Sequence, residues 1–228
     1  MEISTYLITG QGKAIPDDML LVRPMKEGYT FAGLADGQSR KQYCREGAMA
    51  ALAAAADYLE TQDLSALRQR FSDELQYELI RCIRKALTAL ADQYHETLTA
   101  FASTLVCAII HDDGGEFTLI HLGDGCVIRS DGDSRSSVVS PAENGITRSH
   151  TCLTTSENAM QHIRISYGQL RPGESLFLVS DGALALSSGL KVTRNAREAF
   201  TEQRFDHLKN LLRASDPDDD ATLIMCKL

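Results

Sequence analysis

The residues best suited to chemistry are acids that stand at the ends of apolar runs, far apart in the chain. Phe31-Ala-Gly-Leu-Ala-Asp36-Gly37 carries an apolar run straight into an acid followed by glycine. Leu176-Phe-Leu-Val-Ser180-Asp181-Gly182 repeats that design, and Asp218-Asp219-Asp220 stands just before the apolar run Ala221 to Cys226. An apolar run buried as a strand leaves its neighbouring acid at a sheet edge, where a buried carboxylate is costly unless it is paired or bound to a metal. Gly37 has no Cβ, so its backbone can come close to whatever Asp36 holds. Any one Asp-Gly pair is also a plain turn. Three carboxylates at strand ends point instead to one oxygen-lined cation site assembled by the fold.

The intervening chain must supply the elements that position these acids. Glu2 to Thr9, Met19 to Val22 and Tyr29 to Ala35 are predicted strands, with Lys26-Glu27-Gly28 as a hairpin turn. Arg40 to Leu59 is predicted helical, its small residues from Ala48 to Ala56 letting it lie close to a sheet, and Asp63 to Arg70 is a shorter helical piece. Ser72 is placed to cap a further helix, with Leu75, Leu79, Ile83, Ala86, Leu87 and Leu90 on one face. From Phe101 the texture turns to β: Thr104 to Ile110, Phe117 to Leu122, Cys126 to Ser130, Ile163 to Tyr167 and the strand ending at Asp181. Val138 to Arg148 and Thr151 to Ala159 are polar and predict an exposed excursion. Ala183 to Leu186 opens a short helix, Ala196 to Ala214 is helical with breaks, and Thr222 to Lys227 is the last strand. No repeat or linker interrupts residues 1–228, so one domain is expected. Strands, helices and then a strand meander form an α+β pattern. Two antiparallel sheets with helices outside would gather Asp36, Asp124 and Asp181 at one edge of the sandwich.

Composition narrows the class further. The chain has 228 residues, 43% of them hydrophobic, and a net charge of −8 with no basic stripe, which argues against a nucleic-acid partner. Six scattered cysteines without a C-x-x-C pair read as free thiols in a reducing compartment. No signal peptide or membrane-length apolar run is found, so a soluble, cytoplasmic protein is expected. Several local motifs fail on their details. Gly10-Gln-Gly-Lys13-Ala14 lacks the spacing and the hydroxyl residue of a nucleotide-binding loop. Asp131-Gly132-Asp133 lacks the remaining ligands of a calcium loop and reads as a hairpin turn. The six histidines show no metal-ligand spacing, and no G-x-S-x-G elbow supports a serine hydrolase.

With these residues in view, the chain resembles the metal-dependent protein phosphatase 2C (PP2C) family of Ser/Thr phosphatases, bacterial type, over nearly its whole length. Lys13-Ala-Ile-Pro-Asp17-Asp18 resembles the family's R-x-x-N-E-D, and Phe31 to Gly37 its F-x-V-x-D-G. Ser103-Thr104-Leu105-Val106 is similar to G-T-T-L-V, and His121-Leu-Gly123-Asp124 to H-V-G-D. Leu178-Val-Ser180-Asp181-Gly182 is similar to L-x-S-D-G, and Asp219-Asp220-Ala-Thr-Leu to D-N-x-T-V. The chain departs from the family at Lys13 (for arginine), Asp17 (for glutamate), Gln38-Ser39-Arg40 (for a glycine pair), Gly125-Cys126 (for Ser-Arg) and Asp220 (for asparagine).

The resemblance implies a four-layer α-β-β-α sandwich and phosphoester hydrolysis by a metal-bridging water or hydroxide. It implies two Mn²⁺ or Mg²⁺ ions, with Asp36 bridging them, the Gly37 carbonyl on the second, and Asp181 and Asp219 completing the first. Asp18 would orient metal-bound water from the outer shell with Asp17 nearby, Asp124 with Asp181 would hold a weaker third ion, and Lys13 would offset phosphoryl charge. The implied partners are a phosphoprotein substrate, chosen through Ser140 to Gln161, and a cognate Ser/Thr kinase. The alternatives are a catalytically weak regulatory relative that binds a phosphoprotein, signalled by Lys13 and the altered loop Gln38 to Lys41, and an unrelated acidic cation-binding domain.

Overall fold

Side chains alternate across a strand, so a strand buried on both faces can feed two cores at once. The strand Leu105–His111 does this: Leu105, Cys107 and Ile109 point to one core, while Val106, Ala108 and Ile110 point to another. The same split runs along Ser175–Val179, with Leu176 and Leu178 facing the second core and Phe177 and Val179 a third. Three hydrophobic cores separated by two sheets result, and helices close the outer two.

The computed structural model describes residues 1–39, 41–70, 72–143, 151–188, 191–192 and 194–228. In chain order the elements are Glu2–Ile8 (β1), Met19–Pro24 (β2), Tyr29–Ala35 (β3), Cys44–Glu60 (α1), Ser72–Tyr94 (α2), Leu105–His111 (β4), Glu116–Leu122 (β5), Cys126–Ser130 (β6) and Ser136–Ser140 (β7). There follow Ala159–His162 (α3), Arg164–Gln169 (β8), Ser175–Val179 (β9), the two-residue strands Ser187–Ser188 (β10) and Lys191–Val192 (β11), Arg194–Thr201 (α4), Phe205–Ser215 (α5) and Ala221–Lys227 (β12). One five-stranded sheet runs β1-β12-β9-β6-β7 and the other β2-β3-β4-β5-β8, all pairings antiparallel. The helices α1 and α2 cover the second sheet through Leu52, Leu59, Leu79 and Ile83, and α4 and α5 cover the first through Phe200, Leu208 and Leu212. This is the α-β-β-α sandwich. Among the described residues, no helix is long and apolar enough to cross a membrane.

Several predicted boundaries are corrected. The first long helix begins at Cys44 because Gln38 N is tied to the Ala102 carbonyl and Lys41 N to the Gln38 carbonyl, which hold the chain in a turn; Arg40 lies outside the described residues. The predicted helix from Asp63 shrinks to a 3-10 turn at Leu67–Gln69, since Asp63 Oδ1 accepts from the Ser65 and Ala66 amides and offers the backbone an alternative to helix. Ser72 is the first helical residue, its hydroxyl bonded to Asp73 rather than capping. The described parts of the polar stretch from Val138 are only partly exposed. They include part of β7, and Cys152, Thr154 and Ala159 are buried, with Thr154 N donating to the Ser103 carbonyl. Asn144-Gly145 and Arg148 fall in 144–150, outside the described residues.

Close approach of α1 to the turn before β4 depends on Gly47, where an added Cβ would overlap the Phe101 carbonyl. Both groups are backbone, so neither can swing aside. We expect Gly47→Ala to cost about 1–3 kcal/mol, as overpacking does, measurable as a lower urea midpoint; an unchanged midpoint would show that α1 can shift freely.

Candidate active site

The acids meet where three strand ends converge. Asp36 directly follows β3, and its backbone is locked to the start of β4: Asp36 N donates to Thr104 Oγ1 at 2.9 Å and Thr104 N donates to the Asp36 carbonyl at 2.9 Å. Gly37 then pairs with Ser103 in an isolated bridge. A Cβ on Gly37 would lie 2.8 Å from the Asp17 carbonyl and 3.0 Å from the Cys44 backbone, so its missing side chain admits the neighbouring loop. Asp124 sits in the turn between β5 and β6, and Thr151 Oγ1 donates to its Oδ2 at 2.6 Å. Asp181 follows β9. One oxygen each from Asp36, Asp124 and Asp181 lies within 4.8 Å of the others. Together with Gln38, Ser39, Thr104, Thr151, Leu153 and Asp219 they line a cleft of about 190 Å³. The larger hollow, about 300 Å³, lies at the opposite end of β3, β4 and β5, and Glu116 is the sole acid among its described lining residues.

A second cluster adjoins the first and is organised by Asp220, which is 1% exposed. Its Oδ1 accepts from Gly10 N at 2.8 Å and its Oδ2 from Asp17 N at 2.6 Å, binding the N-terminal loop to the end of the chain. Burial works against the charged form of Asp220, but these amides and Lys13 prevail and hold its pKa below the usual carboxylate range. Lys13 Nζ stands 2.6 Å from Asp219 Oδ1, 2.9 Å from Asp220 Oδ2 and 3.0 Å from Asp17 Oδ2. Burial opposes the ammonium charge, yet the three carboxylates raise its pKa above the ordinary lysine value. Asp18 is buried between the two clusters, with Thr222 Oγ1 donating to its Oδ2 at 2.7 Å.

Electrostatics of the first cluster are those of anions without enough cations. Burial pushes the Asp18 carboxyl up to about 8, with Asp220 and Asp181 adding to the rise. Burial and the charges of Asp18 and Asp181 push Asp36 well above its ordinary value, and burial with Asp124 raises Asp181. Asp181 Oδ1 is buried and makes no hydrogen bond. An orphaned carboxylate oxygen among like charges fits a hard divalent cation with oxygen ligands. Of the residues singled out in the sequence, Asp36, Asp124 and Asp181 form the tight cluster. Asp219 shares their cleft but is paired with Lys13, Gly37 adjoins, and Asp17 and Asp18 line the connection to Asp220.

Thr104, Thr151 and Thr222, which fix the acids, were not singled out for that role; only the stretches containing Thr104 and Thr222 gave any signal. His121 is a buried neutral imidazole. Burial and the nearby Arg164 lower its pKa to about 3, and its Nδ1 lies 2.7 Å from Ser140 Oγ.

Residues 11–223 match the family model described as protein phosphatase 2C. The chain belongs to the protein phosphatase 2C family of phosphoprotein phosphatases. No curated protein sequence matches it. Among solved structures, it is similar to serine/threonine phosphatase Stp1 from Staphylococcus aureus, with a TM-score of 0.78 and 16% identity over 100% of this chain and 94% of that one. A bacterial serine phosphatase gives 0.77 and 16% over 99% and 96%. RsbX in complex with magnesium gives 0.65 and 16% over 98% and 92%.

The raised carboxyl groups generate a pH prediction for protein kept in chelator. Asp18, Asp36 and Asp181 hold protons more tightly when folded than when unfolded, where carboxylates titrate near pH 4. From there to about pH 8 the native state carries the extra protons, so stability falls as pH rises. We expect the melting temperature in chelator to drop between about pH 5 and pH 8.5, with the drop reduced in Asp36→Asn. A melting temperature that rises over this range in chelator would contradict the assignment.

Proposed function

We propose that the protein removes phosphate from phosphoserine and phosphothreonine side chains of proteins in a divalent-metal-dependent reaction. The observation that carries this is the convergence of Asp36, Asp124 and Asp181 on one cleft, with an unpartnered oxygen on Asp181. Asp36, Gly37, Asp181 and Asp219 are the residues that would hold two Mn²⁺ or Mg²⁺ ions, with Asp124 contributing to a weaker third and Asp17 lying nearby. Bound divalent cations supply Lewis-acid activation of water and compensation of phosphoryl charge.

The chain's own groups do the positioning. The Thr104 hydroxyl on the Asp36 amide fixes the approach of Asp36, and the Thr151 hydroxyl orients Asp124. Asp18, pinned through Oδ2 by Thr222 and within hydrogen-bonding reach of Asp36, would orient the attacking water. Lys13 brings the positive charge at this edge that can offset an incoming phosphoryl group. The buried cysteines, with thiols such as Cys107 and Cys226 pushed upward by burial, suit a route that needs no protein nucleophile. Thr151 and Leu153 line the cleft, and the span Ser140 to Gln161 that contains them is the proposed substrate-selecting segment. A cytoplasmic role in signalling, opposite a cognate Ser/Thr kinase, is part of this proposal.

A weak, regulatory relative is the competing reading, and the capture of Lys13 by three carboxylates is the observation in its favour. Hydrolysis of p-nitrophenyl phosphate and of a phosphothreonine peptide decides between them. We expect turnover with Mn²⁺ or Mg²⁺, none in chelator, and a loss in Asp36→Asn on the order of 100-fold or more, equivalent to about 3 kcal/mol of barrier. Folded protein that binds the phosphopeptide without releasing phosphate under either metal establishes the regulatory reading.

A further inference from the structure

Lys13 does not face the open cleft with a free ammonium. Its Nζ is seated among Asp17, Asp219 and Asp220 at 3.0, 2.6 and 2.9 Å, using the three donors an ammonium possesses. Asp220 does not depend on this contact alone, because the Gly10 and Asp17 amides already engage both its oxygens. Asp219 is different. Its Oδ1 is the atom nearest Lys13, it also accepts from the Asp220 amide at 2.8 Å, and its side chain is 40% exposed toward the cleft. The tight oxygen cluster is accordingly Asp36, Asp124 and Asp181, with Asp219 on the same wall but already paired.

We infer that Lys13 is an exchangeable internal counter-ion: its ammonium holds Asp219 when no metal is bound there and competes with a divalent cation for that carboxylate. This rests on the reading of the cleft as a metal site and adds to it a metal threshold set by the chain itself. An ammonium and a divalent ion cannot both draw on Asp219 Oδ1 without repelling one another. A cation that takes Asp219 through Oδ1 therefore displaces Nζ from that oxygen. Lysine suits such an exchange better than arginine, since a compact charge on a flexible stem carries no planar fork to keep it in register with one carboxylate.

Calorimetric titration of Mn²⁺ into the full chain tests this without turnover as the readout. Removing the competitor in Lys13→Met should tighten Mn²⁺ binding on the order of tenfold, within the range by which residues around a metal site change its affinity. Lys13→Gln should do the same while retaining a donor for the buried carboxylates, and adding Asp219→Asn to either variant should abolish the gain. Unchanged or weaker Mn²⁺ binding in both folded variants overturns the inference. A wild-type measurement covers the case in which neither variant folds: the Nζ resonance of Lys13 in ¹⁵N-labelled protein should shift or broaden on titration with diamagnetic Mg²⁺, and a resonance unmoved at Mg²⁺ saturation overturns the inference. Wild type that binds neither Mn²⁺ nor Mg²⁺ refutes the metal-site reading itself, a different result from metal binding that is indifferent to Lys13.

Discussion

Crowding of carboxylates at one edge of the sandwich is the constraint on which the rest of the structure depends. Asp36, Asp124 and Asp181 place oxygens within 4.8 Å of one another, and each like-charged pair at that distance costs about 3.5 kcal/mol at an effective dielectric of about 20. They are held by the antiparallel pairing of β3 with β4, β4 with β5 and β6 with β9, whose strands carry buried aliphatic residues on both faces. The hydrophobic free energy of the three cores offsets the electrostatic cost, which cations or protons then relieve.

The two ends of the chain meet at the same place for a related reason. β1 pairs along its whole length with β12, so the loop after β1 runs beside the loop before β12. Asp220 joins those loops by accepting backbone amides from Gly10 and Asp17, which a buried carboxylate does better than a neutral amide because both its oxygens accept. The aspartate at the position where the family carries asparagine thus has a structural role in this chain. It also places a further negative charge beside Lys13, and the lysine in place of arginine has a partner in each of the surrounding acids.

These two arrangements share a boundary at Asp18 and Asp219. Asp18 is pinned by Thr222 on one side and lies within reach of Asp36 on the other, so it couples the loop clasp to the acidic cleft. Asp219 lines the cleft and is gripped by the loop clasp. The acidic cleft and the N-terminal loop are therefore linked through a few side chains.

Much of this was legible in the chain. Apolar runs ending in Asp36 and Asp181 specify strand ends, since burial requires the run to sit in a sheet and hydration drives the acid to its margin. The β3 boundaries Tyr29 to Ala35 and the β6 boundaries Cys126 to Ser130 follow from composition and flanking turn residues. Boundaries failed where side chains compete with backbone, as at Asp63, or where polar residues are buried against each other, as at Thr154 and Ser103. What tertiary structure alone decided is which acids converge on one cleft and which are already paired. Lys13 and Asp219 are 206 positions apart, and no periodicity or motif records that their side chains meet. Sequence determined that carboxylates would stand at strand ends; long-range packing of the two sheets and the two chain ends decided their partners, because ion pairing depends on distances of a few ångströms that only the assembled fold sets.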